Sequence, residues 1–431
     1  MTCKSCYGVS MARGDCIVIG GGVIGRSIAL TLQRDGAQIC LIDPELGQPA
    51  SWGNAGHLAV EHVEPLAAPA TLRTFPRRLF VVGGALDFVW RDVATWLPWS
   101  LEFVGHCTHR RYDRAVALFE ALTAGAIPAW QRLLGANFAS QIRCDGHLVV
   151  SHSRDASTGP VTQSRTGVAS YRPLEEAAAA RLAALLTQAP KSAVRFAGTG
   201  QIADPDALLA RLQQDFAGQG GQSMKASVRS IARHGSGWQV RLESGEVRAA
   251  ETVVVAAGVW SAPLLRGAGL RAPLIAERGY HIGFAREDWP ADLSPVVFED
   301  RAVVMTRFRG GMRATSFVEF GRAASPPDPR KWARLEAHMR AVGALRDGPV
   351  TRWMGCRPTL PDYLPAIGGG EQPGLYYAIG HAHLGLTLAA ITAELLADHL
   401  HGRRAAIDLA PLALTRFSRT KPGTNPQNRD E

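Results

Sequence analysis

An α/β fold of two parts is predicted from three observations. An apolar strand near the N-terminus runs into a glycine-rich turn and a helix, and a second buried strand meets small residues near Ala256. The third is the length of 431 residues, beyond the size at which a single core usually stops growing.

The first element is the strand Cys16 to Ile19, followed by Gly20-Gly21-Gly22-Val23-Ile24-Gly25 and a helix with Ile24, Ile28 and Leu32 one turn apart. Gly20 permits the tight turn, Gly22 lets backbone approach a pyrophosphate, and Gly25 lets the helix pack on the sheet. The helix N-terminus offers unpaired N–H groups and a partial positive charge to an anion. A second strand, Gln38 to Ile42, ends on Asp43, roughly 20 residues past the glycines, where an acid accepts hydrogen bonds from a ribose hydroxyl. Strand, turn, helix, strand and acid in this order form a Rossmann-like dinucleotide grip.

Ser51 to His57 is a small-residue loop suited to lying against a flat ligand. Helices are expected over Tyr112 to Leu134 and Leu174 to Leu186, with a strand over Gly146 to Ser151 between them. Asp204 is expected to cap a helix through Leu208, Leu209, Leu212 and Phe216. Strands follow at Ser227 to Ile231, Trp238 to Leu242 and Val247 to Val255, the last ending in Ala256-Ala257-Gly258 beside the cofactor. Leu274 to Phe320 reads as mainly β, as the floor of a substrate domain, and Trp332 to Val342 as helix. The turn from Gly380 to Gly385 opens a helix carrying Leu388, Ile391 and Leu395.

A hydrophobic fraction of 46% and a charged fraction of 20% are those of an ordinary globular protein. The net charge of +9 comes from scattered arginines, with no Lys/Arg block or nucleic-acid motif, so nucleic acid is not expected as a partner. Seven cysteines form an odd set, and their positions suggest reduced thiols in a cytoplasmic protein. Cys3 and Cys6 have the spacing of half a zinc or redox site, but no second pair follows; the expectation is a flexible leader with Met11 an alternative start, and no metal. Ala85 to Val104 is the most apolar stretch, yet Asp87, Arg91, Asp92, Pro98 and Glu102 forbid a span. Core packing and an interfacial, membrane-touching helix both remain open for it.

Five segments in order make the chain resemble the D-amino-acid oxidase superfamily of flavoproteins, bacterial D-amino-acid dehydrogenases in particular. They are the N-terminal glycines, Gly53 to His57, Ala256 to Gly258 with Gly279-Tyr280, Gly355 to Asp362, and Gly380 to Thr387. The resemblance implies a D-amino-acid oxidase-like fold: an FAD-binding domain over 15–60, 195–277 and 351–402, an α+β substrate domain with a mixed sheet over 61–194 and 278–350, and flexible ends at 1–14 and 417–431. Gly198 to Gly200 and Gly368 to Gly370 lack the strand-turn-helix context of a second nucleotide site, so the reductant is expected to be the organic substrate.

FAD contacts implied by the resemblance fall on Gly20, Gly22, Val23, Ile24, Gly25, Asp43, Ser51, Asn54, Ala55 and Gly56. Further contacts fall on Val228, Ala257, Gly258, Trp260, Gly380, His381, His383, Leu384, Gly385, Leu386 and Thr387. The terminal helix would aim its dipole at the flavin pyrimidine. Arg357 resembles the family's carboxylate clamp, because a guanidinium fork matches a carboxylate bidentately. Tyr280 resembles the substrate-side tyrosine, with core packing as the alternative; His281 is a weaker candidate and His57 weaker still.

The implied reaction is hydride transfer from the α-carbon of a D-amino acid to flavin, giving an imino acid that hydrolyses to a 2-oxo acid and ammonia. Orientation rather than a general base would supply much of the rate. Electrons would pass to a quinone or carrier protein, from a cytoplasmic position or one peripheral on the inner membrane. Related sarcosine oxidases attach flavin through a cysteine where Gly355 stands, so FAD is expected to be noncovalent. Two alternatives are a D-proline or hydroxy-D-proline dehydrogenase, suggested by the distinctive loop Leu58 to Arg91, and a flavin-binding subunit of a multi-chain electron-transfer complex.

Overall fold

The computed structural model describes residues 15–44, 49–153 and 164–418; the cysteine pair at Cys3 and Cys6 and the start at Met11 lie outside them. A six-stranded sheet, among the described residues, runs Gln222–Lys225, Gln38–Asp43, Asp15–Ile19, Thr252–Val255, Leu375–Ile379 and Ala366–Gly369. All neighbours are parallel except the last pair. Parallel strands are covered on both faces, and the alternation shows it. Cys16 and Val18 join a core with the helices Val23–Arg34, His109–Leu134, Pro205–Gly218 and Gly385–Leu400. Ile17 and Ile19 join the opposite core with Trp238, Val240 and Leu265.

Asp204 caps its helix as expected, its Oδ1 accepting from the N–H groups of Asp206 and Ala207 at 2.9 and 3.2 Å. The expected strand Val247 to Val255 is two strands in two sheets. Val247–Ala250 closes an antiparallel three-stranded sheet, while Thr252–Val255 lies in the parallel sheet. The reason is burial: Val247 to Ala249 are exposed and Val253 to Val255 fully buried, so one continuous strand would place a surface segment in the core. The C-terminal end is also tighter than expected, since Leu414–Phe417 forms a 3-10 turn with Phe417 buried.

The second part is built on a nine-stranded mixed sheet among the described residues. Near one edge of it, Ile275–Phe284 pairs antiparallel with Gly311–Gly321 on one side and with the edge strand Val350–Thr359 on the other. The helix Pro329–Ala341 covers one face of this sheet through Leu335 and Met339. Ala85 to Val104 divides into a short strand, Leu86–Phe88, a 3-10 turn, and the front of the helix Val93–His106. No helix among the described residues is long and apolar enough to cross a membrane.

Candidate active site

At the glycine turn, Gly20 has a φ of +113°, and a Cβ there would strike the Ala256 backbone. A Cβ on Gly25 would run into the Gly20 carbonyl. Turn and helix are thus locked to the sheet by absent side chains. The helix Val23–Arg34 has no side-chain N-cap; the Val23 N–H instead donates to Ser51 Oγ at 3.1 Å, and the Gly21 N–H to Asp43 Oδ2 at 2.5 Å. A hydroxyl, a carboxylate and bare backbone donors around one helix start fit the pyrophosphate and ribose of a dinucleotide. Ile24 packs its side chain against the adjoining core.

The loop after Ser51 is held from both sides. Asn54 Oδ1 accepts the Gly56 N–H at 2.8 Å, and Arg313 Nη1 donates to the carbonyls of Trp52 and Asn54 at 2.6 and 2.8 Å. Ala55 lies between these anchors. Gly53 sits so close to the Trp353 ring that a Cβ would overlap it. Arg313 and Trp353 carry no motif, and the sequence reading missed both.

The strands Ile275–Phe284 and Val350–Thr359 pair Glu277 with Arg357, Gly279 with Gly355 and His281 with Trp353. Directly opposed residues share a face, so these pairs form one row beside the Ser51 loop. His281 Nδ1 donates to the Gly53 carbonyl at 3.0 Å, and its ring stacks on Trp353 at 4.8 Å. Burial, then the nearby Arg313 charge, lowers its pKa to about 4. His281 is therefore a neutral strut for the loop.

Arg357 Nη1 donates to Glu277 Oε1 at 3.0 Å and to the Phe317 carbonyl at 3.2 Å. Phe317 presents that carbonyl from a left-handed backbone, φ +69°, where pairing slips between Arg278 and Tyr280. Glu277 is itself fixed by Thr359 Oγ1 at 3.0 Å and the Tyr363 hydroxyl at 3.2 Å. The guanidinium lies across Gly279, where a Cβ would collide with it. Nε and Nη2 have no hydrogen-bond partner among the described residues.

Tyr280 is not part of this row. It projects from the other face with Arg278, fully buried, its hydroxyl donating to Glu319 Oε2 at 2.6 Å and accepting the Asp328 N–H at 3.1 Å. Burial, reinforced by Glu319, raises its pKa. The substrate-side expectation is corrected to core packing, because neighbouring strand residues point to opposite faces. Cys356 shares that opposite face, opposed to Arg278; burial raises its thiol pKa to about 11. Gly355 offers no thiol, so this segment presents none on the Arg357 face.

Gly380 has a φ of +77° with the Leu360 side chain packed where a Cβ would stand, and His381 bridges to Thr359. His381 is buried with Nε2 hydrogen-bonded to Thr392 Oγ1 at 3.0 Å, which ties its ring to the helix. The Ala59 N–H donates to Thr387 Oγ1 at 3.0 Å, and Trp130 Nε1 donates to the Leu386 carbonyl at 3.1 Å. Leu384 is buried, and Gly385 starts the helix Gly385–Leu400. His383 is half-buried, its ring 5.3 Å from that of His62, and burial followed by the Arg357 charge lowers its pKa to about 4. Ala257 and Gly258 follow the strand Thr252–Val255, Gly258 opening a 3-10 turn; Val228 packs against the core that holds Ile42, and Trp260 is exposed.

A family model described as FAD dependent oxidoreductase, DAO, matches residues 15–399. The chain belongs to this DAO family. As a DAO-family oxidoreductase it uses FAD, and the Gly20 to Gly25 turn with Asp43 and Ser51 suits that cofactor. The DAO chain is 30% identical to a D-amino-acid oxidase of Bradyrhizobium diazoefficiens, covering 93% of this chain and 98% of that one. It is 29% identical to D-amino acid dehydrogenase 2 of Ralstonia nicotianae, covering 93% and 99%. In fold it is similar to glycine oxidase from Geobacillus kaustophilus, with TM-score 0.66, 21% identity and coverage of 93% and 98%. L-proline dehydrogenase from P. horikoshii gives TM-score 0.66 at 16% identity over 94% and 97%.

Proposed function

We propose that the protein oxidises the C–N bond of a D-amino acid, with Arg357 holding the donor's carboxylate. The observation that carries this reading is the half-used guanidinium of Arg357. Nη1 is fixed on Glu277 and Phe317, and the Nε–Nη2 edge is the planar pair of donors a carboxylate accepts from bidentately. FAD, when bound, supplies the two-electron acceptor for the hydride leaving the α-carbon. The row Glu277/Arg357, Gly279/Gly355, His281/Trp353 lays the Arg357 guanidinium over Gly279 and the Trp353 ring over Gly355, so a small donor would meet a cation at one end and an aromatic ring at the other. No side chain on this face is placed as an obligatory base, and orientation would supply much of the rate. The imino acid would leave to hydrolyse in water. The D-configuration is supported by the D-amino-acid oxidase and dehydrogenase relatives, and noncovalent FAD by the position of Cys356 away from Arg357.

The test is anaerobic mixing of the yellow protein with D- and L-amino acids, prolines and hydroxyprolines included, while the flavin absorbance is followed. Bleaching by D-amino acids, lost in Arg357→Met at the same concentrations, is the expected result. Indifference to every carboxylated amine would end the reading.

The electron acceptor is proposed to be a quinone reached at a membrane surface. Val93, Leu97, Leu101 and Val104 form an exposed apolar stripe on the helix Val93–His106. Phe75, Phe88 and Trp96 make continuous ring contacts from that helix to the helix Pro69–Arg78, which exposes Arg73, Arg77 and Arg78. An apolar stripe flanked by cations suits an anionic lipid face. Co-flotation with vesicles containing anionic lipid, abolished by Leu97→Glu with Leu101→Glu, is expected; flotation unaffected by the pair would remove this acceptor route.

A further inference from the structure

Behind the Ser51 loop, three imidazoles converge on one carboxylate. His57 Nε2, His62 Nε2 and His147 Nε2 lie 3.3, 3.6 and 3.7 Å from Glu61 Oε1. We propose that His57, Glu61 and His147 hold one divalent transition-metal ion of the zinc class.

The distances match such a site. A tetrahedral ion with bonds of about 2.0–2.1 Å separates its ligands by roughly 3.3 Å, and one ligating atom each from His57, Glu61 and His147 all lie within 4.8 Å of one another. The polar atoms are also unsatisfied. His57 Nε2 and both Glu61 carboxylate oxygens are buried without a hydrogen-bond partner. Polar atoms buried without a partner destabilise the fold. A neutral imidazole could donate its Nε2–H to Glu61, yet His57 Nε2 and both Glu61 oxygens make no hydrogen bond; an ion satisfies these atoms together.

The surroundings orient the ligands as metal sites require. His147 uses its other ring nitrogen, Nδ1, in a 3.0 Å hydrogen bond to Thr199 Oγ1, and stacks on Phe196 at 4.7 Å. An outer hydrogen bond of this kind fixes tautomer and ring plane, leaving Nε2 as the lone-pair nitrogen. His57 is set by the strand His57–Leu58, paired with Gly200–Ile202, and His147 starts the strand His147–Ser151. The His62 side chain is 44% exposed, which gives an ion its way in. Nitrogen donors with one carboxylate select zinc, cobalt, nickel or copper over magnesium and calcium. By contrast, the carboxylates of Asp87, Glu319 and Asp328 already surround Lys331 Nζ at 2.6, 2.6 and 3.2 Å, so that cluster needs no ion.

The site would tie the chain directly after the flavin-side loop to the sheet of the substrate domain. It stands independently of which amine is oxidised. The test uses the full chain with its flavin, purified without a polyhistidine tag. Elemental analysis should find about one zinc-class ion per chain. After stripping with chelator, added Co²⁺ should produce the visible d–d bands of a tetrahedral site in a difference spectrum against the flavin. Zinc should raise the melting temperature of stripped wild type by a few degrees and leave that of Glu61→Gln unchanged. Wild type with neither bound metal nor a cobalt spectrum would overturn the proposal, as would bands of undiminished strength in folded His147→Ala or Glu61→Gln. If those variants fail to fold, the wild-type cobalt spectrum alone decides.

Discussion

Arg357 and Glu277 face each other across two antiparallel strands, joined at 3.0 Å, with the Glu277 carboxylate almost wholly buried. The acid does more than neutralise: through Thr359 and Tyr363 it anchors one nitrogen of the guanidinium and aims the remaining edge outward.

Substituting Arg357→Met is expected to raise KM for the donor about a hundredfold, as two hydrogen bonds to a charged group are worth about 3 kcal/mol together. Glu277→Gln should raise KM roughly tenfold with kcat held within a few-fold, because the fork loses its anchor but remains present. Steady-state kinetics with an artificial dye acceptor reads both. An unchanged KM in either variant contradicts the assigned geometry.

Tyr280→Phe should leave kcat and KM within about twofold of wild type. It should nevertheless lower unfolding free energy by about 1–2 kcal/mol, since Glu319 and the Asp328 N–H lose a buried partner. Urea titration together with kinetics separates the two effects; a large loss of turnover would return Tyr280 to the active face.

Asp43→Ala is expected to weaken FAD binding by about ten- to a hundredfold, from loss of a carboxylate both to the ribose and to the Gly21 N–H. Turnover at saturating FAD should persist. Flavin-fluorescence titration measures the affinity, and wild-type retention would place the ribose elsewhere.

His281 and His383 are held neutral in the folded state, with pKa values lowered to about 4 from 6.5. Below pH 6.5 the unfolded chain takes up protons at these rings that the folded chain refuses, so stability falls as pH drops from about 6.5 towards 4. Denaturation midpoints across that window should decline, and less steeply in His281→Gln. A slope unaltered by the substitution would show that His281 is not a source of the acid sensitivity.

Much of the nucleotide grip was legible because its parts are close in sequence and each rests on local backbone demands. Gly20 to Gly25 and Asp43 occupy one strand-turn-helix-strand unit, and Asp204 capped its helix as read. The wall around Arg357 was less legible. Arg357 could be picked out by its motif, but Glu277, Trp353, Arg313 and Tyr363 sit in ordinary strand, loop or turn sequence. The group of His57, Glu61, His62 and His147 was equally silent, because His147 arrives from a different strand.

The amino-acid order alone determined the glycine turn, the helix and strands of the nucleotide unit and which backbone can approach a phosphate, since these depend on neighbours a few residues apart. Only the tertiary structure decided which residues share a face. Side chains alternate with a period of two, so the pairing of Ile275–Phe284 with Val350–Thr359 places Arg357 beside Glu277 and sends Tyr280 into the core. A shift of one residue would have exchanged them, and that register is set by packing across the whole sheet.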